Sequence, residues 1–357
     1  MTKRSTLTIF GASAAALALA LSACAPKDSG SGSGSSSSDL SKVQYTLKNA
    51  TAEPEASFAT PFAATSPSAY VIEPGTGDSI TDGDFVLVEA AVFSGADGKT
   101  TGSTYGSEPI LLPVNDQLKE AAPEVYAKLK EIKVGGSFSY TTNVLQQRTE
   151  SGTPSASTAT PGTATNVEIY TVKTKLPKYA NGTAQDVDPA LPSFTLDEGT
   201  GKAELKMPDT KSEINQLVTK TLIEGNGPEV KATDTVYVRY IGAQYSDGKV
   251  FDGNFDGTPA GLSMQGVIKG WTNGLTGKKV GSRIELIIPA DQAYGNESAG
   301  GQTPTGPLVF VVDILGAEDN PQTQEQLRGI QKSEANASDA PAGEESAAAA
   351  TAEASAQ

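Results

Sequence analysis

Between Asp252 and Gly257 the chain reads Asp-Gly-Asn-Phe-Asp-Gly, the opening of a calcium-binding loop in which alternate side-chain oxygens close on one cation. The bidentate glutamate that should complete such a loop falls where Ser263 stands, and no flanking helices are evident. No metal and no other cofactor is therefore expected. The 357 residues include no histidine, which removes the usual general base, the usual zinc ligand and every Ser-His or Cys-His nucleophile pair. The one cysteine, Cys24, can form neither an intramolecular disulfide nor a thiolate metal cluster. A formal net charge of −15 does not give the basic footprint of a nucleic-acid binder. Few ordinary enzyme chemistries survive these exclusions.

The cysteine has a different use. Lys3 and Arg4 precede an apolar run from Leu7 to Leu21, short for a membrane span but of the right length for a signal peptide. The run ends in Leu21-Ser22-Ala23-Cys24, which resembles the lipobox of bacterial lipoproteins. That resemblance implies cleavage after residue 23, a diacylglycerol on the Cys24 thiol, and anchoring at the extracytoplasmic face of the cell membrane. Residues 24–40 then form a Ser/Gly tether that reaches roughly 20–25 Å from the lipid. Residues 318–357 are rich in Ala, Glu, Ser and Gln and too poor in apolar side chains to offset their ordering entropy, so a disordered tail is expected, with room for a short helix near Gln322–Gln331.

The elements that must position any site repeat at about 150 residues. Tyr45-Thr46-Leu47 answers Phe194-Thr195-Leu196, Val71-Ile72-Glu73 answers Leu222-Ile223-Glu224, and Phe85–Val92 answers Val236–Ala243. Asp97-Gly98-Lys99 answers Asp247-Gly248-Lys249, and Val134-Gly135 answers Val280-Gly281, each pair before or within apolar strands. Val236, Val238 and Tyr240 alternate with Tyr237, Arg239 and Ile241, which predicts a half-buried strand. Arg283–Ile288 and Leu308–Leu315 are further β-branched strands, and Gly270–Gly274 leaves room only for a short helix. In the first copy Pro123 suits a first helical turn, and Val125, Leu129 and Ile132 recur on one face. The pattern predicts an α+β domain, present twice, with one short helix across a curved antiparallel sheet.

The second copy carries, in order, Tyr240, Phe251-Asp252, Val267-Ile268-Lys269-Gly270-Trp271, Ala293-Tyr294-Gly295 and Leu308-Val309-Phe310. Each fragment alone is weak, since a lone Trp or a Tyr on an alternating strand is usually a core residue. Together they resemble the FKBP-type peptidyl-prolyl cis-trans isomerases over roughly residues 219–317. The resemblance implies two tandem FKBP-like domains, 41–178 and 179–317, flanked by disordered termini. It also implies an apolar cup that receives the proline ring of a proline-containing polypeptide. Trp271 would be the floor of the cup and Tyr240, Phe251, Val267, Ile268 and Phe310 its walls. Tyr294 would donate a hydrogen bond to a substrate carbonyl, and Asp252 would orient neighbours at the rim.

Some positions depart from the family pattern. Gly257 stands near where a basic residue is common, Ala260 where a pocket aromatic is expected, and the flap 296–307 is polar and Gly-rich. Weak binding of macrolide inhibitors follows from so thin a wall. In the first copy, Ala90 stands opposite Tyr240, Thr101-Gly102 opposite Phe251-Asp252, Val125 near Trp271 and Arg148 opposite Tyr294. A Thr/Ser/Pro/Ala insertion at about 149–165 replaces its flap and is expected to be disordered. Three readings remain open: an isomerase, a surface-tethered chaperone or proline-peptide binder without turnover, and a purely structural envelope lipoprotein. The anchoring expectation is tested directly: Cys24→Ala should leave the chain unprocessed or released, and unchanged membrane fractionation would refute the lipid anchor.

Overall fold

The computed structural model describes residues 38–48, 51–148, 154–297 and 303–320. The expected signal segment, Cys24, most of the tether and the tail from residue 321, with its expected helix, lie outside them. Among the described residues no helix is long and apolar enough to cross a membrane.

The first half runs β1 (Gln44–Thr46), β2 (Glu55–Ser57), β3 (Ser68–Glu73), β4 (Phe85–Phe93), β5 (Thr100–Ser103), β6 (Ile110–Pro113), α1 (Asp116–Ala121), α2 (Pro123–Glu131), β7 (Ser137–Thr141), β8 (Val144–Arg148), β9 (Pro154–Thr158) and β10 (Val167–Leu176). The second runs β11 (Thr183–Ala184), β12 (Ser193–Asp197), β13 (Lys202–Lys206), β14 (Val218–Glu224), β15 (Asp234–Gln244), β16 (Val250–Gly253), β17 (Ala260–Ser263), α3 (Lys269–Leu275), β18 (Arg283–Ile288) and β19 (Leu308–Asp319). The two main sheets share one order, β3-β7-β10-β4-β5 with β6 also on β4, and β14-β18-β19-β15-β16 with β17 also on β15, to which the second adds β11 at its edge beside β14. All these pairings are antiparallel. The architecture is α+β, mostly sheet.

Helices cover one face of each sheet. Pro123 opens α2 at its first turn, where a missing N–H costs nothing, and Val125, Leu129 and Ile132 pack on Val86, Val88, Phe138 and Val172. Trp271 and Leu275 of α3 pack on Val236, Val238, Ile284 and Leu286. Gly270 permits this, because a Cβ there would come within 2.3 Å of the Ile288 side chain. Each other face carries a two-stranded hairpin: β1–β2 brings Tyr45 and Ala56 over Ala91 and Ile169, and β12–β13 brings Phe194, Leu196 and Leu205 over Ile241 and Val311.

Several expectations change. The first half has two helices rather than one, because Asn115 caps an extra turn by accepting from the Leu118 N–H at 3.0 Å. The inserted segment contributes β9, paired with β8, because Ser and Thr backbones can form a ladder even where little apolar surface is available. Leu40, expected in the tether, is buried at 3% exposure. β19 continues to Asp319, beyond the expected domain end, because Glu318 accepts from Lys173 Nζ at 2.6 Å and Asp319 from Lys231 Nζ at 2.6 Å.

The main correction concerns β15, where Asp234 through Ala243 are all buried instead of half-buried. Val236, Val238 and Tyr240 face the α3 side, while Ile241 lies under the hairpin. Tyr237 packs with Leu315 of its own sheet and with Leu87 and Leu176 of the first, and its hydroxyl reaches Pro109 O at 3.4 Å. The two sheets thus share an apolar seam, with Lys173 of the first sheet bonded to Glu318 of the second beside it.

Glu285, on the hairpin side of β18, has both carboxylate oxygens buried without a hydrogen-bond partner among the described residues. Burial pushes its pKa up to about 7. Below the ordinary carboxyl value both folded and unfolded states hold the proton and nothing is lost. Between the ordinary value of 4.5 and about 7 the unfolded state ionises while the folded state keeps its proton, so stability falls across that window and levels off above it. Glu285→Gln should leave stability near pH 4 unchanged and raise it by about 2–3 kcal/mol above pH 8, read by chemical denaturation at each pH.

Candidate active site

The candidate site is built from four elements of the second sheet and its helix. β15 supplies Tyr240, β16 supplies Phe251 and Asp252, α3 with its preceding turn supplies Val267, Ile268 and Trp271, and β19 supplies Phe310. Tyr294 follows a 3₁₀ turn at Ala290–Gln292 after β18. The structure brings the eight expected residues together: Trp271, Phe310 and Tyr240 are buried in one cluster, Phe251, Val267, Ile268 and Tyr294 pack against it half-exposed, and Asp252 joins it through the Tyr240 hydroxyl.

Aromatic edges and faces set the geometry. The Trp271 ring meets Tyr240 edge-on at 5.4 Å and Phe310 edge-on at 5.3 Å, and Phe251 meets Phe310 at 5.6 Å and 85°. Such perpendicular contacts place positive ring edges on negative faces and favour fixed angles over a fluid apolar patch. Trp271 is at 0% exposure, and Phe251, Val267, Ile268 and Tyr294 around it are half-exposed.

Polar groups rim the cup. The Tyr240 hydroxyl donates to Asp252 Oδ2 at 2.7 Å, and Asp252 Oδ1 accepts from the Gly253 N–H at 2.9 Å. Asp252 is thus held by a phenol and its own backbone, with Gly257 where a basic partner is common. Burial, then the bonded Asp252 carboxylate, drive the Tyr240 pKa well above its ordinary value. Burial, assisted by the Asp252 charge, pushes Tyr294 up to about 12. The Tyr294 hydroxyl is buried with no hydrogen-bond partner among the described residues. A protonated phenol with an unused donor, beside an apolar cup, is equipped to bond a carbonyl that enters it.

Two site residues escaped the sequence reading. Gly242 lies inside β15 opposite Phe310, and a Cβ there would sit 2.6 Å from the Phe310 ring and 3.0 Å from Phe251. Its signal was available: a glycine inside a β-branched strand marks a close approach. Asn254 accepts from the Tyr240 N–H at 2.7 Å and donates to Val238 O and Thr258 O, fixing the turn after Asp252. Nothing in its spacing separated it from an ordinary turn residue.

The corresponding region of the first sheet lacks these rings. Thr104 N–H donates to Ala90 O as Asn254 N–H donates to Tyr240 O, which fixes the correspondence of the two strands. In that register Val92 pairs with Glu168 where Gly242 pairs with Phe310. Glu168 is buried, accepts from the Tyr170 hydroxyl at 2.5 Å, and burial pushes its pKa up to about 7. Arg148, expected opposite Tyr294, falls in β8.

The arrangement is an apolar cluster rimmed by a buried phenol donor without a hydrogen-bond partner among the described residues. Comparison with known proteins gives the family. Residues 227–315 match the family model described as FKBP-type peptidyl-prolyl cis-trans isomerase. The FK506-binding protein of Streptomyces anulatus is 44% identical over 104 residues, 28% of this chain and 84% of that protein. A probable FK506-binding protein of Corynebacterium glutamicum is 37% identical over 102 residues and is covered to 86%. The isomerase FkpA of Escherichia coli K12 is 39% identical over 113 residues, of which the chain spans only 42%, and the crystal structure of FkpA aligns with a TM-score of 0.28 over 30% of this chain and 51% of that one. The chain belongs to the FKBP-type peptidyl-prolyl cis-trans isomerases, and isomerisation of X-Pro peptide bonds is its enzymatic activity.

The close approach at Gly242 yields a test. Gly242→Ala should destabilise the protein by about 1–3 kcal/mol through overpacking and displace the Phe251 and Phe310 ring resonances. Unperturbed stability and ring shifts would show that the two rings do not depend on that gap.

Proposed function

We propose that isomerisation takes place in the cup of the second of two tandem FKBP-like domains, about residues 41–178 and 179–317, on proline-containing segments of exported or surface proteins. The single observation that carries this reading is the buried, unpartnered Tyr294 hydroxyl beside the perpendicular rings of Trp271, Tyr240, Phe251 and Phe310. The shared strand order of the two sheets supports the tandem assignment. The first domain supplies Ala90, Thr101, Gly102 and Glu168 at cup positions, so catalysis is assigned to the second alone. Cys24 and the basic-apolar run before it support attachment at the extracytoplasmic face of the cell membrane.

Rotation about X-Pro breaks no bond. It loses amide resonance against a barrier of about 18–20 kcal/mol. The planar amide is more polar than the twisted one, so a dry ring-lined cup disfavours the ground state relative to the twisted form. The Tyr294 hydroxyl donates to a substrate carbonyl, which holds one side of the amide while the proline ring is gripped by Trp271 and Phe310. Asp252 fixes the Tyr240 phenol and, through it, the wall. Each ~1.4 kcal/mol taken from the barrier gives a tenfold gain in rate.

A second reading, binding without turnover, draws on Ala260, which packs half-buried against the cluster where a wall aromatic is expected. A protease-coupled prolyl-peptide assay on the full chain separates the two. Tyr294→Phe should lower kcat/KM by roughly 5–30-fold, the effect of one lost hydrogen bond. Because Tyr294 and Tyr240 both titrate far above neutrality, the rate should be nearly flat between about pH 6 and 9. A bell-shaped profile, or complete loss of activity in folded Asp252→Asn, would replace desolvation with proton transfer.

A further inference from the structure

Arg239 sits in the middle of β15, 4% exposed, on the strand face away from the cup. A buried guanidinium ordinarily faces a carboxylate. Here it faces backbone instead. Nη1 donates to three carbonyls of one turn, Asn254 O at 3.0 Å, Phe255 O at 2.8 Å and Gly257 O at 2.5 Å. Nε donates to Lys178 O at 3.0 Å, on the segment that joins the two sheets. The guanidinium carbon also lies 5.5 Å from the ring centroids of both Phe85, from the first sheet, and Tyr179.

The turn so held is the one that follows Phe251 and Asp252. From the inner side, Asn254 ties it to both backbone groups of Tyr240, the residue whose hydroxyl bonds Asp252. From the outer side Arg239 holds it, and what holds Arg239 in turn comes from the linker and the first sheet. The first sheet shows that this is not a requirement of the fold. Its equivalent turn is tied by Thr104 to Ala90 in the same way, yet Glu89 stands at the arginine position and accepts from the Thr104 hydroxyl at 2.6 Å.

We propose that Arg239 is a positioning residue for isomerisation, and that through it the first domain and the Lys178–Tyr179 linker brace the turn that follows Phe251 and Asp252 and so keep these two residues in their substrate-ready place. The proposal rests on the cup reading above. Its consequence is specific. Without the brace, the wall samples other positions and only a fraction of molecules is competent to bind, which raises the apparent dissociation constant by the inverse of that fraction. A molecule that has bound substrate has its wall ordered and turns over normally. Loss of the brace therefore raises KM and spares kcat. A merely structural role does the opposite: unfolding part of the population lowers the apparent kcat and leaves KM unchanged.

The test uses the full chain and a proline tetrapeptide followed by exchange spectroscopy. Arg239→Met should raise KM roughly 5–20-fold with kcat within about twofold, reflecting a competent fraction of that size. Arg239→Lys, a point charge that can reach part of the carbonyl set, should recover part of the loss. Phe85→Ala, on the first sheet and remote from the cup, should raise KM in the same direction by roughly 2–5-fold. Faster amide exchange confined to residues 252–258 in these variants would accompany the effect. A fall in kcat at constant KM would overturn the proposal, and so would Phe85→Ala with wild-type KM. Failure of the cup reading looks different, since Tyr294→Phe would then leave the rate untouched whatever Arg239 does.

Discussion

Strand β15 has no solvent face, and the rest of the second sheet is arranged around that constraint. Its α3-side residues Val236, Val238 and Tyr240 end in the cup, while Tyr237, Arg239 and Ile241 on the other side meet the first sheet, the linker turn and the β12–β13 hairpin in succession. A strand buried on both sides cannot slip by one residue without driving every apolar side chain into the wrong layer. The register that places Gly242 opposite Phe310, and so lets Phe251 and Phe310 touch, is fixed by contacts far from the site. Site geometry and the seam between the two sheets are two sides of one strand.

How much of this could be read beforehand follows from where the information lies. The strands Phe85–Phe93, Arg283–Ile288 and the short α3 were legible because period, β-branching and flanking glycines are local properties. The cup residues were legible only through their order and types, and the structure gathers seven of them into one cluster with Asp252 bonded to its Tyr240. The full burial of β15 was not legible. Tyr237 and Arg239 are residues that an alternating pattern sends to solvent, and only a second sheet and a hairpin from distant sequence cover them. The extra turn α1 was missed for a smaller reason: one Asn cap outweighed weak periodicity. In the insertion, composition predicted disorder, whereas the backbone of residues 154–158 found a ladder partner in β8.

The two halves show how one scaffold can keep its strand order while its interior changes. At the position of Gly242 the first sheet has Val92, and at that of Phe310 it has Glu168. The changes are coupled. A valine Cβ beside a phenylalanine at this pair would clash, whereas a carboxylate bonded to the Tyr170 hydroxyl leaves room for it. Replacing one ring thus removes the need for the glycine, and once the glycine is gone the ring cannot return alone. On the first sheet, Phe85, Leu87 and Leu176 are the residues turned toward the second half.

A chain with no histidine and one cysteine is suited to work by arrangement, and the energetics fit the reaction its family performs. Amide rotation needs no acid, base or nucleophile; it needs the planar form made less comfortable than the twisted one. Apolar rings do this only if they stay dry and at fixed angles, because a wall that relaxes readmits water to the carbonyl. The perpendicular contacts among Trp271, Tyr240, Phe251 and Phe310 fix the angles, and the Tyr240–Asp252 bond fixes the outermost ring-bearing strand to the next. The weakest member is β16, a four-residue strand paired along one side. An enzyme whose catalytic groups are surfaces is most exposed to error where its shortest strand carries one of them, and that strand is followed at once by the turn that Asn254 and Arg239 grip from its two sides.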